Sequence, residues 1–443
     1  MPDMAKHWTA YSPDGTAPWS LRRVVHLHRR ASFAATWAEI QRDLKDGPQV
    51  AIDRLLAGKS ATHTPPEFAA TADLLADAAV TSGEPGRLKA WWVYRMMFGP
   101  DPLGEKLTLL WHDHFATSNA KVNDLSAMRR QNDTFRKFAR APFGELLKAS
   151  VREPALLAFL DAPANRKGHA NENLARELME LFTLGIGNYT EGDVKEAARA
   201  LTGWTVTDGN FQENPSAHDA GEKTILGKKG PWKGADLVKM LLEHPATSER
   251  LAKKLGRLFF GEKGVQVDAV KTLAEGLREH SLNLGWAVET VLRSKAFFDE
   301  SNMGTKILGP VDYVLGTARA LELFDPAPST LALADWCGRL GQDLFEPPNV
   351  GGWPAGKAWV SARTLIGRAN FVTALLDGPN AGRPTPLDAA ELCRRYGGGE
   401  LTEFFARLLF GTDPTPSLRE RVGAAEGRKV VSVLLAAPEA QLG

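Results

Sequence analysis

In "WHDHFATSNAK", residues 111–121, two histidines stand one residue apart beside a tryptophan and a phenylalanine. Imidazole is the side chain that titrates nearest neutrality and is the commonest metal ligand. His112 and His114 are therefore candidate metal ligands, and His114 is also a candidate acid–base residue. On an α-helix, residues two apart point about 200° away from each other. Both would reach one ion only if the helix ends here, as "FATSN" suggests. The alternative is that His114, which shares an apolar stripe with Trp111 and Phe115, is a buried histidine hydrogen-bonded to a neighbour.

A second set lies in "NENLARELMELFTLG", residues 171–185, where Asn173, Glu177, Glu180 and Leu184 are spaced to share one helix face. Glu177 and Glu180 then sit one above the other, as paired carboxylates do in helical-bundle metal sites. With His112 and His114 they make a four-residue set for a divalent metal, although no E-x-x-H occurs here. Carboxylates on an otherwise apolar helix are costly to bury unless paired or metal-bound. An internal salt-bridge network, with Arg176, Arg199 or the histidines as partners, is the competing reading. Asn171, Glu172 and Arg176 are candidates for orienting a substrate.

Two loops add further candidates. "SAHDAGEKTILG" offers His218 and Asp219 for catalysis and Lys223 for an anion, or the three simply pin a hairpin. "EPPNVGGWPAGKAW" presents Asn349 and Trp353 on a stiff backbone, either as a ligand wall or as a plug over the core. There is no G-x-S-x-G elbow, P-loop, dinucleotide fingerprint or H-E-x-x-H. Cys337 and Cys393, the two cysteines, have no histidine nearby in sequence and exclude a disulfide framework.

The elements that must hold these residues are helices. "TWAEIQRDLKDGPQVAIDRLLAG" reads as two helices broken at Gly47-Pro48, and "GRLKAWWVYRMMFG" as one closed by Gly99-Pro100. "DPLGEKLTLLWHDHF" has its stripe at Leu103, Leu107, Leu110, Trp111, His114 and Phe115. "TEGDVKEAARALTGW" opens on a near capping box, Thr190 with Asp193. Further helices are expected at 235–243, 247–259, 267–278, 285–294, 309–322, 400–410 and 426–437. The stretch 205–233 is expected to be a small β-hairpin or ordered loop, with strand-like pieces at "NFQE" and "KTIL". The stretch 343–360 is a Pro-, Gly- and Trp-rich loop. With no repeat and no low-complexity linker, 1–443 reads as one mainly α domain: a single large multi-helix body with two ornate loops.

The blocks "LTLLWHDHFATS", "NENLARELMELFTLGIGNYTEGDVKEAARALTGW", "HDAGEKTILGKKG" and "LFEPPNVGGWPAGKAW" resemble, in this order, the hallmark blocks of a bacterial family. It is catalogued as domain of unknown function 1800, and the resemblance covers roughly residues 18–437. It implies no defined reaction. Members are often encoded beside proteins resembling the sulfatase and alkaline-phosphatase superfamily, which implies a partner of that kind. Many members carry His where this chain has Phe182, so a ligand at that position is missing here.

Bulk composition narrows the field. Lys plus Arg is 54 and Asp plus Glu 53, a formal net charge of +1, which gives no electrostatic case for wrapping nucleic acid or an anionic membrane. No apolar run approaches the ~20 residues of a membrane span. The N-terminus lacks the apolar region of a signal peptide, and Arg22-Arg23 is followed by charges where a twin-arginine signal needs an apolar stretch. The expected location is cytoplasmic by default, with export alongside a partner as the alternative. The expected function is an enzyme with a polar, metal-binding His/Glu pocket between helices. The alternative is a non-catalytic accessory or maturation partner of a sulfatase-like or alkaline-phosphatase-like protein.

Overall fold

Two apolar cores, not one, organise the chain. The computed structural model describes residues 7–262 and 264–443. The first core gathers Val24 and Val25, the helices Phe68–Ser82 and Pro85–Phe98, and most of the apolar residues from Leu308 to Ala437. The second gathers Leu27 and Ala31 with most of the apolar residues from Leu103 to Met303. Three long helices belong to both, as does the short Pro154–Phe159, which sends Ala155 to the first and Leu156 and Leu157 to the second. Leu21–Ala31 sends Val24 and Val25 one way and Leu27 and Ala31 the other. Pro102–His114 sends Leu109 to the first core and Leu103, Leu107 and Trp111 to the second. Leu125–Lys137 divides Met128 from Phe135 in the same way.

Most helices begin and end where their residues require. Gly47 and Pro48 separate Trp37–Asp46 from Pro48–Leu56, and Gly99 stops Pro85–Phe98. The capping box at Thr190 is complete: its hydroxyl receives the Asp193 N–H at 3.1 Å, and the Asp193 carboxylate receives the Thr190 N–H at 2.9 Å. The expected helices near 235–243, 247–259, 267–278, 285–294, 309–322, 400–410 and 426–437 are present. Helices such as Leu125–Lys137, Thr330–Arg339 and Ala362–Asp377 come in addition.

The 205–233 stretch is two hairpins rather than one. Strand β1 (Trp204–Thr207) pairs antiparallel with β2 (Asn210–Glu213), and β3 (Lys223–Ile225) with β4 (Lys228–Gly230). Asp208 and Gly209 both take positive φ, at 50° and 69°. That is the geometry a two-residue hairpin turn demands. The 343–360 stretch is irregular except for the short 3₁₀ turn Gly356–Trp359, and it buries Trp353 and Trp359 against the first core. It is a plug, one of the two roles its composition allowed.

Because these long helices face apolar side chains on both sides, many of their polar residues are trapped between the cores. Glu105, 5 % exposed, accepts from Arg136 Nε at 2.6 Å, Arg95 Nε at 3.1 Å and Trp92 Nε1 at 3.0 Å. Burial alone would raise its pKa, but the two guanidinium groups outweigh burial and hold it below the ordinary value. Lys106 donates to Ser32 O and to Asp312 Oδ1. Removing one partner from such a pair leaves an uncompensated buried charge, at a cost of about 3–5 kcal/mol. Glu105→Gln is therefore expected to lower the unfolding free energy in urea by that amount. Asp268→Asn, which removes an exposed 3.8 Å pair with Lys271, changes it by less than about 1 kcal/mol.

Candidate functional site

The five residues Trp111–Phe115 close the Pro102–His114 helix, and each turns to a different neighbour. His112 is fully buried in an aromatic box. Its ring centroid lies 5.2 Å from Trp92, 5.3 Å from Phe345, 5.7 Å from Phe135 and 5.5 Å from Trp353, on which it stacks. Neither ring nitrogen has a hydrogen-bond partner, and burial pushes the imidazole pKa down to about 3. His114 points the other way and donates from Nε2 to Phe182 O at 3.1 Å, among Trp111, Phe115, Phe143 and Phe182. Burial, with Lys254 and Arg250 nearby, holds it well below the ordinary histidine value.

The segment that receives His114 departs from the sequence expectation. Helix Asn173–Glu177 passes directly into a π-helical stretch, Leu178–Thr183. Its i→i+5 backbone bonding shows in Leu184 N–H to Met179 O at 2.8 Å, and the Thr183 hydroxyl side chain adds a bond to Leu178 O at 2.6 Å. The wider turn breaks the predicted single face, so Asn173 is exposed, Glu177 half-buried and Leu184 buried. Carbonyls at a helix end need donors from elsewhere; Leu181 O takes Arg250 Nε at 2.6 Å and Phe182 O takes His114. Single π turns recur at functional sites.

Glu177 has no hydrogen bond or ion pair among the described residues. Burial, and then the neighbouring Glu180, raise its pKa above the ordinary carboxylate value. Glu180 accepts from the Tyr189 hydroxyl at 2.6 Å, and burial together with this bond pushes the Tyr189 pKa up to about 12. Opposite lies the Pro245–Phe260 helix, with Arg250, Lys254 and Arg257 at spacings of four and three. Arg250 lies in the field of Glu180, and Arg257 acts on both Arg250 and Lys254. Lys254 donates to Asp113 Oδ2 at 3.3 Å, while Asp113 Oδ1 accepts the Trp353 N–H at 2.9 Å. A Cβ on Gly352 would meet that Oδ1 at 2.3 Å, and its φ is +91°, so only glycine lets the plug approach so closely.

The remaining predicted residues are engaged elsewhere. Asp219 holds Arg199, with 2.8 Å from Nε; Lys223, 1 % exposed, gives its ammonium to the carbonyls of Asp219 and Gly221 at 2.5 and 2.9 Å. His218 Nδ1 lies 2.9 Å from Thr202 O. These bonds tie the hairpin segment to itself and to the helix Glu191–Ala200, not to Glu177. Arg176 pairs with Glu172 at 3.0 Å and Glu191 at 2.7 Å. Asn171 accepts from Asn173 N–H, and Asn349 from Gly351 N–H, both as local turns. The metal set His112, His114, Glu177 and Glu180 is not assembled. The two histidines diverge, and among the described residues no three His, Cys, Asp or Glu side chains gather to share an ion. Arg250, Lys254, Asp113 and Tyr189 were missed, although the 250/254/257 spacing in "SERLAKKLGRLFF" was visible.

The family model described as "Protein of unknown function (DUF1800)" matches residues 26–442, and the chain belongs to that family. No curated protein and no solved structure matches the chain.

The His112 box makes a pH-dependent prediction. A folded-state pKa of about 3, against the ordinary 6.5, means that only the unfolded chain takes up this proton between those values. Stability from the neutral ring is full above pH 6.5 and is lost as pH falls towards 3, at about 1.4 kcal/mol per pH unit. His112→Phe is expected to change the urea midpoint little at pH 7 and to gain steadily on the wild type below pH 6. Parallel stability profiles from pH 7 to 4 would refute the assignment.

Proposed function

We propose that the chain is an acid–base enzyme acting on an anionic substrate. The substrate would be held between the Asn173–Thr183 segment and the Pro245–Phe260 helix. The observation that carries the reading is Glu177: a half-buried carboxyl group without a partner, its pKa raised by burial and by Glu180, beside a π-helical turn. A carboxyl group that holds its proton more firmly than usual is suited to donate it. Glu180, fixed by Tyr189, supplies the neighbouring negative charge. The cations Arg250, Lys254 and Arg257 favour a substrate bearing a phosphate, sulfate or carboxylate, and Arg257 is exposed with no side-chain partner. His114 positions the π turn through Phe182 O rather than moving a proton.

A second reading is a docking partner of a sulfatase-like or alkaline-phosphatase-like protein. It is favoured by the exposed apolar residues Val360, Leu365 and Ile366, which directly follow the Trp-rich plug. Ile366→Asp would weaken such binding without touching Glu177.

The test is turnover of 4-nitrophenyl phosphate, sulfate and glucuronide by the purified chain between pH 5 and 8. The expected result is turnover of at least one ester, with a rate that falls with rising pH at a higher pH than an ordinary carboxyl group would give. Glu177→Gln should lower kcat about 10²-fold or more with an unchanged unfolding midpoint. Equal turnover in Glu177→Gln, or no turnover and no anion binding, would overturn the acid–base reading.

A further inference from the structure

A concavity lies far along the chain from Glu177, between the helices Thr330–Arg339 and Ala362–Asp377 and the turn at Pro379–Ala381. It is an open groove of ≈ 420 Å³, lined by Asp335, Trp336, Arg339, Asn370, Thr373 and Asn380, with Ala332 and Ala374 at its floor. Its volume is that of a small-molecule site. We propose that this groove binds a neutral saccharide.

Three observations support the assignment. The first is an aromatic platform. Trp336 is half-buried, braced edge-on by Phe371 at 5.7 Å and 64°. Its indole N–H has no protein partner. An indole face suits the C–H face of a pyranose, and the free N–H suits a hydroxyl. The second is a supply of uncommitted planar groups. The side-chain amides of Asn370 and Asn380 make no hydrogen bond within the protein. Each amide offers a donor and an acceptor side by side, which matches vicinal hydroxyls.

The third observation is charge balance. Arg339 and Asp335 form a 2.7 Å ion pair in the groove and are 62 % and 54 % exposed. A phosphate or nucleotide site would need cations in excess, as on the Pro245–Phe260 helix; here the one cation is matched by one carboxylate. The Arg339 guanidinium now sits over the indole, 5.2 Å from its centroid. Being exposed, it can turn aside while still paired to Asp335, so that both groups bond ring hydroxyls as the sugar takes the indole face. Trp336 is at the same time packed against the first core.

The experiment uses the full chain on a glycan array of neutral and acidic oligosaccharides, with hits titrated calorimetrically. Maltotriose, cellotriose and chitotriose are added as soluble probes. The expected result is binding of at least one neutral glycan, weakened tenfold or more by Trp336→Ala and by Asn370→Ala. Trp336→Phe should retain part of the affinity. Asn370 is exposed, so its variant keeps the test valid even if Trp336→Ala fails to fold. No neutral hit, a preference for acidic glycans alone, or affinities unchanged in both variants would overturn the proposal. Glu177→Gln should leave this binding intact, so failure here is distinguishable from failure of the acid–base reading.

Discussion

Three long helices with an apolar core on each side have little solvent face for their polar residues, and the buried polar seam of this fold follows from that. Glu105, Lys106 and His112 lie on a single helix, and all three are buried. Two of them carry charge and are matched by partners from distant segments: Arg95 and Arg136 for Glu105, Asp312 for Lys106. Arg30, fully buried on another shared helix, spends its donors on the carbonyls of Phe259 and Asn302. A buried ion pair adds little net stability compared with apolar packing. It does make misassembly expensive, because any other arrangement of the two cores would strand these charges.

The same constraint places the candidate site where the burial eases. Towards the end of the Pro102–His114 helix the fully buried ion pairs give way to other contacts. His112 stays neutral in an aromatic box, and Asp113 reaches Lys254 at the edge. Next to it the π turn widens the facing helix, leaving two carbonyls for Arg250 and His114 and turning Glu177 towards partial exposure. At the margin of the polar seam a carboxyl group is desolvated but not paired, and the proposed acid–base role rests on that.

Much of this was legible in the sequence, in unequal measure. Helices with strong stops were clear, because Gly47-Pro48 and Gly99-Pro100 act locally. The opposed directions of His112 and His114 followed from helix geometry alone, and the buried, hydrogen-bonded alternative for His114 is the arrangement found. The quartet with Glu177 and Glu180 failed for two reasons. The π turn alters the face at Glu177, and no local pattern announced it. His112 is claimed by Trp92, Phe345 and Trp353, which come from elements up to 261 residues apart in the chain. Lys223 read as an anion contact because its two carbonyl acceptors are backbone atoms, invisible in side-chain chemistry. Arg250 and Lys254 sat in plain view on an amphipathic helix, where cations ordinarily mean solvent.

"WHDHF" looks like a catalytic motif, yet its five residues act as a fastening. Trp111 reaches Ala139 O, His112 the plug, Asp113 both Lys254 and Trp353, His114 the π turn, and Phe115 the rings of Phe135 and Phe143. Inserting or deleting one residue upstream in this helix would rotate all five by about 100° and hand each the wrong neighbour at once. The turn is therefore indifferent to many single replacements of similar shape and intolerant of any change in length. Among distant relatives it would persist as a block of fixed spacing even where the chemistry at Glu177 had drifted.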